Sequence, residues 1–434
     1  MCKLCSLTLV FILTAGFLSG CDLLAVKEQQ QDIAGYCQLY GSVKPEKDSG
    51  KKIVVVLLKF KGGEFQNRAN WSLFDHFAND RPGKWYFHTS PGSYLVTAFE
   101  DINDDRVFQP DEPAIPAAPQ SLLQCAPGEV KTGIDLLIHE KDRFNAKGPV
   151  DIAKAQIRSS RQQLDISLGQ VTKVGEIAQL SEPRFLDETA KLGMWRPLDF
   201  LIEGNAGLYF LEPYSDEKIP VLFVHGINGT PRNFDYLTEH MDRAHFQPWL
   251  FYYPSGGRLE NIAKRLNQMV EQLQDQYKFK KLVVVAHSMG GLVARNFIFK
   301  NIDSSRHNSI PLFITLATPW DGHAAAKSGV EHLPNPVYSW VDMVPGSLYL
   351  TNLFYTSDKS QAERRILPKE IANHLFFTFI DNEAGDGTVS LASELRSEAQ
   401  EEATRLYGYE KSHMDILTTS EMLKTVNGLL DSVR

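Results

Sequence analysis

The stretch around Ser288 constrains the fold of this 434-residue chain more than any other segment. An apolar, mostly β-branched run over residues 283–286 leads into His287-Ser288, and a helical pattern begins directly afterwards. A strand that passes at once into a helix makes a tight turn, which lifts a serine hydroxyl above the end of a buried strand. The positions two before and two after the serine must be small, and they hold Ala286 and Gly290. The sequence therefore predicts a strand–turn–helix unit with Ser288 at its tip, although glycine is more usual than alanine at position 286.

The second half of the chain alternates between apolar strands and amphipathic helices. Apolar runs that are continuous rather than alternating are typical of strands buried on both faces. The pattern predicts an α/β domain over residues 198–434, with a mostly parallel sheet covered by helices on both faces. The predicted strands cover residues 220–225, 249–252, 283–287, 312–316 and 375–380, and the clearest helices cover residues 258–277 and 291–300.

This half resembles the α/β-hydrolase fold of serine esterases and lipases. The resemblance is carried by the Ser288 turn, by VHGINGTP at residues 224–231 and by TLATPW at residues 315–320. PGSLYL at residues 345–350 resembles a segment of lipases and of lecithin–cholesterol acyltransferase-like enzymes. The resemblance implies that Ser288 is a nucleophile in acyl-ester chemistry.

A serine nucleophile needs a histidine base and a carboxylate that orients the base. In this family the acid and then the histidine follow the serine along the chain. Asp386 lies between two glycines after a predicted strand, and His413 is the one histidine beyond it. We therefore predict Ser288, Asp386 and His413 as the catalytic residues, with Asp381 and Asp342 as weaker alternatives for the acid.

The reaction also needs backbone N–H groups that stabilise an oxyanion. The family resemblance implies that Met289 and Ile227 supply them, with Asn228 as an alternative to Ile227. We expect His225 to shape this loop and His287 to point into the scaffold.

The segment over residues 320–374 is rich in aromatic and apolar residues without a clear period. In lipases an insertion at this place forms a lid over the acyl site, so one interpretation is a mobile lid. The other interpretation is a helical cap that belongs to the core. The sequence leaves both open.

The first twenty residues have the pattern of a secretory signal, with a basic start and an apolar centre. They end in Leu18-Ser19-Gly20-Cys21, which resembles the lipobox of bacterial lipoproteins. The resemblance implies cleavage before Cys21 and lipid attachment to it. The predicted protein is therefore anchored to a bacterial membrane through a polar tether over residues 21–32, facing the periplasm or the cell exterior. A plain signal peptide is the alternative.

Residues 33–140 combine short β-like runs with glycine and proline turns, which predicts a small antiparallel sandwich. The segment loosely resembles prealbumin-like domains. Cys37 and Cys125 are the two cysteines left beyond Cys21, and an even pair in an exported protein favours a disulfide over two separate buried thiols. Residues 141–197 are predicted to be a helical linker.

An acidic loop in the sandwich has the oxygen spacing of a calcium site. Asp101, Asn103, Asp105 and Glu112 occupy its first, third, fifth and twelfth positions, but Arg106 replaces the usual glycine. A structural calcium ion and a solvated acidic turn are both compatible with this sequence.

Composition narrows the classes of partner. The formal net charge is −8, and no basic stripe with interleaved aromatic residues is present in the sequence, which argues against nucleic acid. The predicted function is hydrolysis of a carboxylic ester of lipid or small-molecule origin, with no cofactor in the reaction. An acyltransferase with the same residues and a non-catalytic surface protein are the alternatives, and the sequence does not indicate an oligomeric state.

Overall fold

A computed structural model describes residues 34–79, 82–105, 107–144, 172–303, 310–333, 336–356 and 363–434, with Lys27 and residues 30–32. The predicted signal segment and Cys21 lie outside these ranges. So do Arg106 and residues 145–171. Among the helices of the described ranges, none has the length and hydropathy needed to cross a bilayer.

The N-terminal domain is a sandwich of two sheets. Its strands are β1 (Cys37–Pro45), β2 (Lys52–Phe60), β3 (Trp71–Asn79), β4 (Gly83–Thr89), β5 (Gly92–Asp101), β6 (Leu122–Cys125) and β7 (Val130–Ile138). One sheet has the strand order β4-β1-β7 and the other has the order β3-β2-β5-β6. The prediction of an antiparallel sandwich is wrong at one pair, because β1 and β7 run parallel.

Alternating side chains of the two sheets form the core between them. Leu39 and Trp85 from one sheet pack with Val55 from the other. The opposite face of β2 is also covered, by Phe108 and neighbours, which explains why β2 is apolar without alternation. A disulfide joins Cys37 in β1 to Cys125 in β6 and thus links the two sheets, as the cysteine count predicted.

The C-terminal domain is built on one eight-stranded sheet. Its strands are β8 (Lys173–Ile177), β9 (Gly207–Phe210), β10 (Ile219–Val224), β11 (Phe246–Tyr252), β12 (Val283–His287), β13 (Leu312–Leu316), β14 (Ala372–Phe379) and β15 (Arg405–Glu410). The strand order is β15-β14-β13-β12-β10-β11-β9-β8. Neighbouring strands are parallel except for β9 and β11, which are antiparallel. This is the predicted α/β-hydrolase arrangement.

Helices cover both faces of this sheet and bury two apolar clusters against it. The α-helices are α1 (Asp187–Trp195), α2 (Pro197–Ile202), α3 (Asp235–His240), α4 (Leu259–Tyr277), α5 (Met289–Ile302), α6 (Ala324–His332), α7 (Tyr338–Met343), α8 (Leu348–Phe354), α9 (Leu391–Glu394), α10 (Ser397–Glu402) and α11 (Ser420–Asp431). Short 3-10 helices cover Arg68–Asn70, Pro119–Ser121, Pro183–Phe185, Pro231–Phe234 and Asp415–Thr418.

The described end of the predicted helical linker belongs to the C-terminal domain. Residues 173–177 are strand β8, not helix, because they pair with β9 through a bulge at Gly175, whose φ is 73°. Phe185 is fully buried in the core on one face of the sheet. The helical spacing that suggested a linker came from residues 152–168, which lie outside the described residues.

Parallel pairing decides where functional loops meet. Strands β10, β12, β13, β14 and β15 all run in one direction, so the loops that follow them emerge at the same edge of the sheet. This edge therefore brings together four segments of the chain: residues 225–230, Ser288, residues 380–390 and residues 411–414.

Candidate active site

Ser288 forms the turn between β12 and α5. Its φ of 55° and ψ of −132° lie where residues other than glycine are rarely found. The Ser288 amide donates a 2.8 Å hydrogen bond to Leu316 O at the end of β13, which holds the turn on the sheet. Strain of this kind is typical of a nucleophile elbow, in which the hydroxyl projects away from the strand.

Small residues make this turn possible. A Cβ atom on Gly290 would lie 2.2 Å from Val224 O, and one on Gly226 would lie 2.7 Å from Ser288 Cβ. The chain therefore approaches itself at both positions more closely than any larger residue allows. Ala286 is fully buried in β12, so its methyl group is accommodated where glycine is more usual.

Three side chains form one hydrogen-bonded row at the edge of the sheet. Ser288 Oγ lies 2.8 Å from His413 Nε2, and His413 Nδ1 lies 2.6 Å from Asp386 Oδ2. The exposed fractions of Ser288, His413 and Asp386 are 5%, 6% and 1%. Because the carboxylate accepts from Nδ1, Nε2 is left to accept the serine proton. The structure thus brings together the three residues that the chain order singled out.

Asp386 is held by four donors. Oδ1 accepts the amides of Thr388 at 2.9 Å and Val389 at 2.7 Å, and Oδ2 accepts Thr378 Oγ1 at 2.8 Å in addition to His413. Burial acts most strongly on the pKa of Asp386 and by itself would raise it, but His413 and the other donors lower this pKa to about 2. The carboxylate is therefore ionised at neutral pH and aimed at Nδ1.

The two alternative acids are engaged elsewhere. Asp342 accepts Arg258 Nη1 and the Leu259 amide, both at 2.8 Å, so it fixes the start of α4. Asp381 is exposed, and it accepts Asn382 Nδ2 at 2.8 Å. Within the described residues, Asp386 is the carboxylate that His413 contacts.

Backbone contacts also tie the histidine loop to its neighbours. The His413 amide donates to Asp386 O at 3.1 Å, and His287 Nε2 donates to His413 O at 2.9 Å. Burial, and then the charge of His413, lowers the pKa of His287 to about 3, so its ring is neutral. His287 thus supports the loop of His413, and the two rings lie with a centroid separation of 4.8 Å.

His225 organises the loop that follows β10. Its Nδ1 donates to Gly226 O at 2.8 Å, and its ring stacks on Tyr253 with a centroid separation of 4.1 Å. Tyr253 in turn donates its hydroxyl to His225 O at 2.5 Å. Burial lowers the pKa of His225 to about 4, which keeps the ring neutral. These contacts match the expected shaping role and do not connect His225 to the serine.

Asn228 differs from Ile227 in how its amide is used. The Asn228 amide donates to Ser255 Oγ at 2.9 Å, and its φ of 52° turns the loop at this point. An amide that already has an acceptor is a poor candidate for an oxyanion donor. Ile227 and Met289 therefore remain the pair of amides that fits the prediction.

Sequence reasoning missed four side chains that support the site. Tyr253 and Ser255 contact the loop that follows β10, whereas Thr378 and Glu394 lie beside Asp386. A polar residue inside the otherwise apolar run over residues 375–380 was a usable signal for Thr378. Nothing in the local pattern marks Glu394.

The segment over residues 320–374 contains helices α6, α7 and α8. Leu350, Leu353 and Phe354 are buried in the main core, and Arg295 of α5 donates to Leu353 O at 2.9 Å. Leu348, at the start of α8, is 69% exposed. The buried contacts favour the cap interpretation for α8. A rise in activity at a lipid–water interface would indicate that part of the segment opens as a lid.

The acidic loop is closed by its own donors. Each carboxylate oxygen of Glu112 accepts a backbone amide at 2.9 Å, and Asp101 Oδ1 accepts the Asp105 amide at 3.1 Å. Asn103 Nδ2 donates to Asp105 Oδ2 at 3.0 Å. In the parts of the chain that the structure describes, no group of three or more His, Cys, Asp or Glu residues is arranged to hold a metal ion. These contacts are compatible with the interpretation as an acidic turn, and a structural calcium ion at Asp101, Asn103, Asp105 and Glu112 stays a prediction from the sequence.

Part of the C-terminal domain is similar to a described protein family. Residues 215–376 match the family described as "Putative serine esterase (DUF676)". The C-terminal domain thus has the α/β-hydrolase fold, and its central part is similar to this esterase family.

Individual relatives cover only part of the chain. GPI inositol-deacylase of Debaryomyces hansenii is 29% identical over 153 residues, which is 32% of this chain and 14% of that protein. Lecithin-cholesterol acyltransferase-like 1 of Arabidopsis thaliana is 35% identical over 81 residues, which is 17% of this chain and 19% of that protein. Bacillus licheniformis lipase BlEst2 in its mature form is 16% identical, with a TM-score of 0.40, and the match covers 50% of this chain and 94% of the lipase.

Proposed function

We propose that this protein hydrolyses carboxylic esters through an acyl-serine intermediate. The observation that carries the proposal is the buried row from Ser288 through His413 to Asp386, placed on a strained turn. A serine hydroxyl becomes nucleophilic when a neutral imidazole can take its proton, and this row supplies that arrangement.

The reaction then proceeds in two halves. Ser288 Oγ attacks the ester carbonyl carbon while its proton passes to His413 Nε2, and the resulting oxyanion accepts the amides of Ile227 and Met289. The tetrahedral intermediate collapses as His413 gives the proton to the departing alkoxide, which leaves an acyl group on Ser288. Water attacks this acyl group, with His413 again as the base, and releases the acid. Asp386 stays ionised and stabilises the imidazolium.

A fluorophosphonate probe tests the nucleophile directly. The wild-type protein should be labelled once, at Ser288, and Ser288→Ala should lose both labelling and esterase activity. Ser397→Ala is a matched control, because Ser397 is exposed and bonds only to neighbouring Glu398 in the described structure. Labelling of Ser288→Ala at the wild-type level would reject the assignment.

Acyl lipids or small acyl esters are the proposed substrates. The names of the two curated relatives, a deacylase and an acyltransferase-like protein, support acyl-group chemistry at this domain. A series of soluble esters with increasing acyl length would test the proposal. It predicts turnover that depends on the acyl length and disappears in Ser288→Ala.

Acyl transfer is the second candidate function, favoured by the match to the acyltransferase-like protein. An alcohol would take the place of water in the second half of the reaction, with the same three residues. Product analysis with an added alcohol decides between the two: a new ester indicates transfer, and free acid alone indicates hydrolysis.

We also propose that Cys21 carries a lipid anchor that holds the enzyme at a bacterial membrane. The support is the lipobox-like sequence LSGC at residues 18–21. Radiolabelled palmitate should be incorporated into the wild-type protein and not into Cys21→Ser, which should move to the soluble fraction. Equal membrane association of the two proteins would contradict the anchor.

A further inference from the structure

A second carboxyl group lies directly behind the catalytic row. Glu394, at the end of α9, is fully buried, and its Oε2 accepts the Thr378 amide at 3.0 Å. Thr378 Oγ1 lies 3.3 Å and 3.4 Å from the two oxygens of Glu394 and 2.8 Å from Asp386 Oδ2. The Thr378 hydroxyl thus stands between two acids.

The hydrogen atoms available at this site indicate that Asp386 and Glu394 have different protonation states. The Thr378 hydroxyl has one hydrogen, and the shorter distance assigns it to Asp386 Oδ2. The lone pairs of Thr378 Oγ1 then face Glu394. An ionised Glu394 would oppose them with further lone pairs, whereas a protonated Glu394 supplies a hydrogen to the contact. With the Thr378 hydrogen assigned to Asp386, a carboxylic acid at position 394 relieves this opposition of lone pairs.

The electrostatic surroundings of Glu394 also favour its protonated form. Burial, and then the negative charge of Asp386, raises the pKa of Glu394 to about 9. Asp386 cannot take up the proton as readily, because both of its oxygens already accept two donors each. Two adjacent carboxyls in opposite states are a recurring arrangement in enzyme sites.

We propose that Glu394 is a positioning residue that acts as a neutral acid, donating to Thr378 so that Thr378 in turn holds the Asp386 carboxylate in line with His413. The inference rests on the proposed function, since its effect on turnover is exerted through Asp386. Glu394 itself touches neither the serine nor the bound ester in this scheme. It should therefore affect kcat more than KM.

Two substitutions of Glu394 separate the effect of its hydrogen-bond donor on turnover from the effect of its charge. Glu394→Gln keeps a donor and no charge, so kcat for a soluble ester should stay within about threefold of wild type. Glu394→Leu removes the donor and should lower kcat about 10- to 100-fold, with KM within about twofold, because the acid and the imidazole lose their alignment. Equal losses in both variants would overturn the proposed role of the donor, and so would a Glu394→Leu enzyme as active as wild type.

The pH profile tests the charge state. A neutral Glu394 adds no field at His413, so the acidic limb of the kcat/KM profile should not move in Glu394→Gln. If Glu394 were ionised, removing its charge would shift that limb to lower pH, and the proposal would fail. Thr378→Val removes the intervening hydroxyl and should lower kcat about as much as Glu394→Leu does. The double variant should lose no more kcat than either single variant.

Infrared spectroscopy gives a readout that does not depend on turnover. A protonated-carboxyl C=O band at pH 7 should be present in the wild type and absent in Glu394→Gln. If the band is missing from the wild type, the inference fails whatever the enzyme does. If the band is present but the protein neither reacts with fluorophosphonate nor cleaves esters, the proposed function fails and the neutral acid stands.

Discussion

Two buried carboxyls next to each other differ in protonation because they differ in donors. Asp386 accepts two amides, a hydroxyl and an imidazole, whereas in the described part of the chain Glu394 accepts one backbone amide, that of Thr378. Burial raises the pKa of both groups, and only Asp386 has enough donors to reverse that effect. At these two positions the hydrogen-bond partners of the carboxyl group determine whether it is charged.

Replacing Asp386, the proposed catalytic acid, should lower turnover more than it lowers substrate binding. In Asp386→Asn the side-chain amide can present an N–H to His413 Nδ1, which favours the wrong tautomer and leaves Nε2 unable to accept the serine proton. We expect kcat to fall about 10⁴-fold at neutral pH while folding is retained. Steady-state kinetics with a soluble ester measures this. A loss of less than tenfold would mean that Asp386 does not orient the base.

The pH dependence of stability follows from Glu394. Its pKa is raised on folding, so the folded protein binds this proton more tightly than the unfolded chain does. The stabilisation is complete below the ordinary glutamate pKa and is lost as the pH rises towards about 9. Relative to Glu394→Gln, the wild type should lose free energy of unfolding between these limits, by at most about 1.4 kcal/mol per pH unit.

Urea unfolding of both proteins at several pH values provides the measurement. The titration of the other groups is common to both proteins and cancels in the difference. A difference in free energy of unfolding that stays constant from pH 5 to pH 9 would contradict a raised pKa at Glu394.

At the level of the elements, the turn between β12 and α5 depends on two small residues to different degrees. A Cβ atom on Gly290 would lie 2.2 Å from Val224 O and 2.5 Å from His225 O, whereas Ala286 already fits its buried place. The backbone of β10 cannot move away, because it pairs with strands on both sides. Gly290 therefore sets the shape of the turn.

Gly290→Ala should destabilise the C-terminal domain by about 3 kcal/mol, because of overpacking against backbone, and should reduce activity. Ala286→Gly should lower the free energy of unfolding of this domain by about 1 kcal/mol and should retain activity. Gly428→Ala is the matched control, since a Cβ atom there meets nothing within 4 Å, and it should be neutral or stabilising. Urea unfolding measures all three. A Gly290→Ala protein as stable as the control would show that the turn can relax.

Much of the element pattern was predictable because periodicity and chain order carry it. The apolar runs over residues 283–287 and 312–316 coincide with β12 and β13, and the amphipathic pattern over residues 258–277 coincides with α4 to within one residue. The serine–acid–histidine order pointed to the residues of the row. Strand β8 was missed, because five partly exposed residues with a bulge have no distinctive pattern.

The remaining features depend on contacts between distant parts of the chain. Glu394 and Thr378 are sixteen positions apart and meet only when α9 packs against β14. Tyr253 reaches His225 from the end of the next strand of the sheet, twenty-eight positions away. Local propensity cannot report such pairs, because neither residue is unusual in its own segment.

At the level of the whole molecule, the chain combines a disulfide-linked sandwich with a domain of α/β-hydrolase fold whose described residues include no cysteine. The Cys37–Cys125 bond spans 88 positions and joins the two sheets of the sandwich. Cross-linking such a long loop restricts the unfolded chain strongly, so its effect should fall on the N-terminal domain.

Replacing both cysteines by alanine should lower the free energy of unfolding of the sandwich by about 2–5 kcal/mol. The row at Ser288 lies in the other domain, so kcat for a soluble ester should stay within about twofold of wild type when the double variant is kept folded. Calorimetry with and without reductant, alongside the ester assay, measures both effects. Reductant should shift the wild-type transition and leave the double variant unchanged. Equal stability of the oxidised and reduced proteins would contradict the stabilising role.

Trapping the acyl-enzyme tests the central claim most directly. After rapid mixing with a p-nitrophenyl ester and acid quenching, intact mass spectrometry and peptide mapping should find one acyl group, attached to Ser288. The burst of p-nitrophenol should match the amount of acylated enzyme. Rapid ester turnover by the Ser288→Ala protein, or a wild-type acyl group attached to any other residue, would contradict the account.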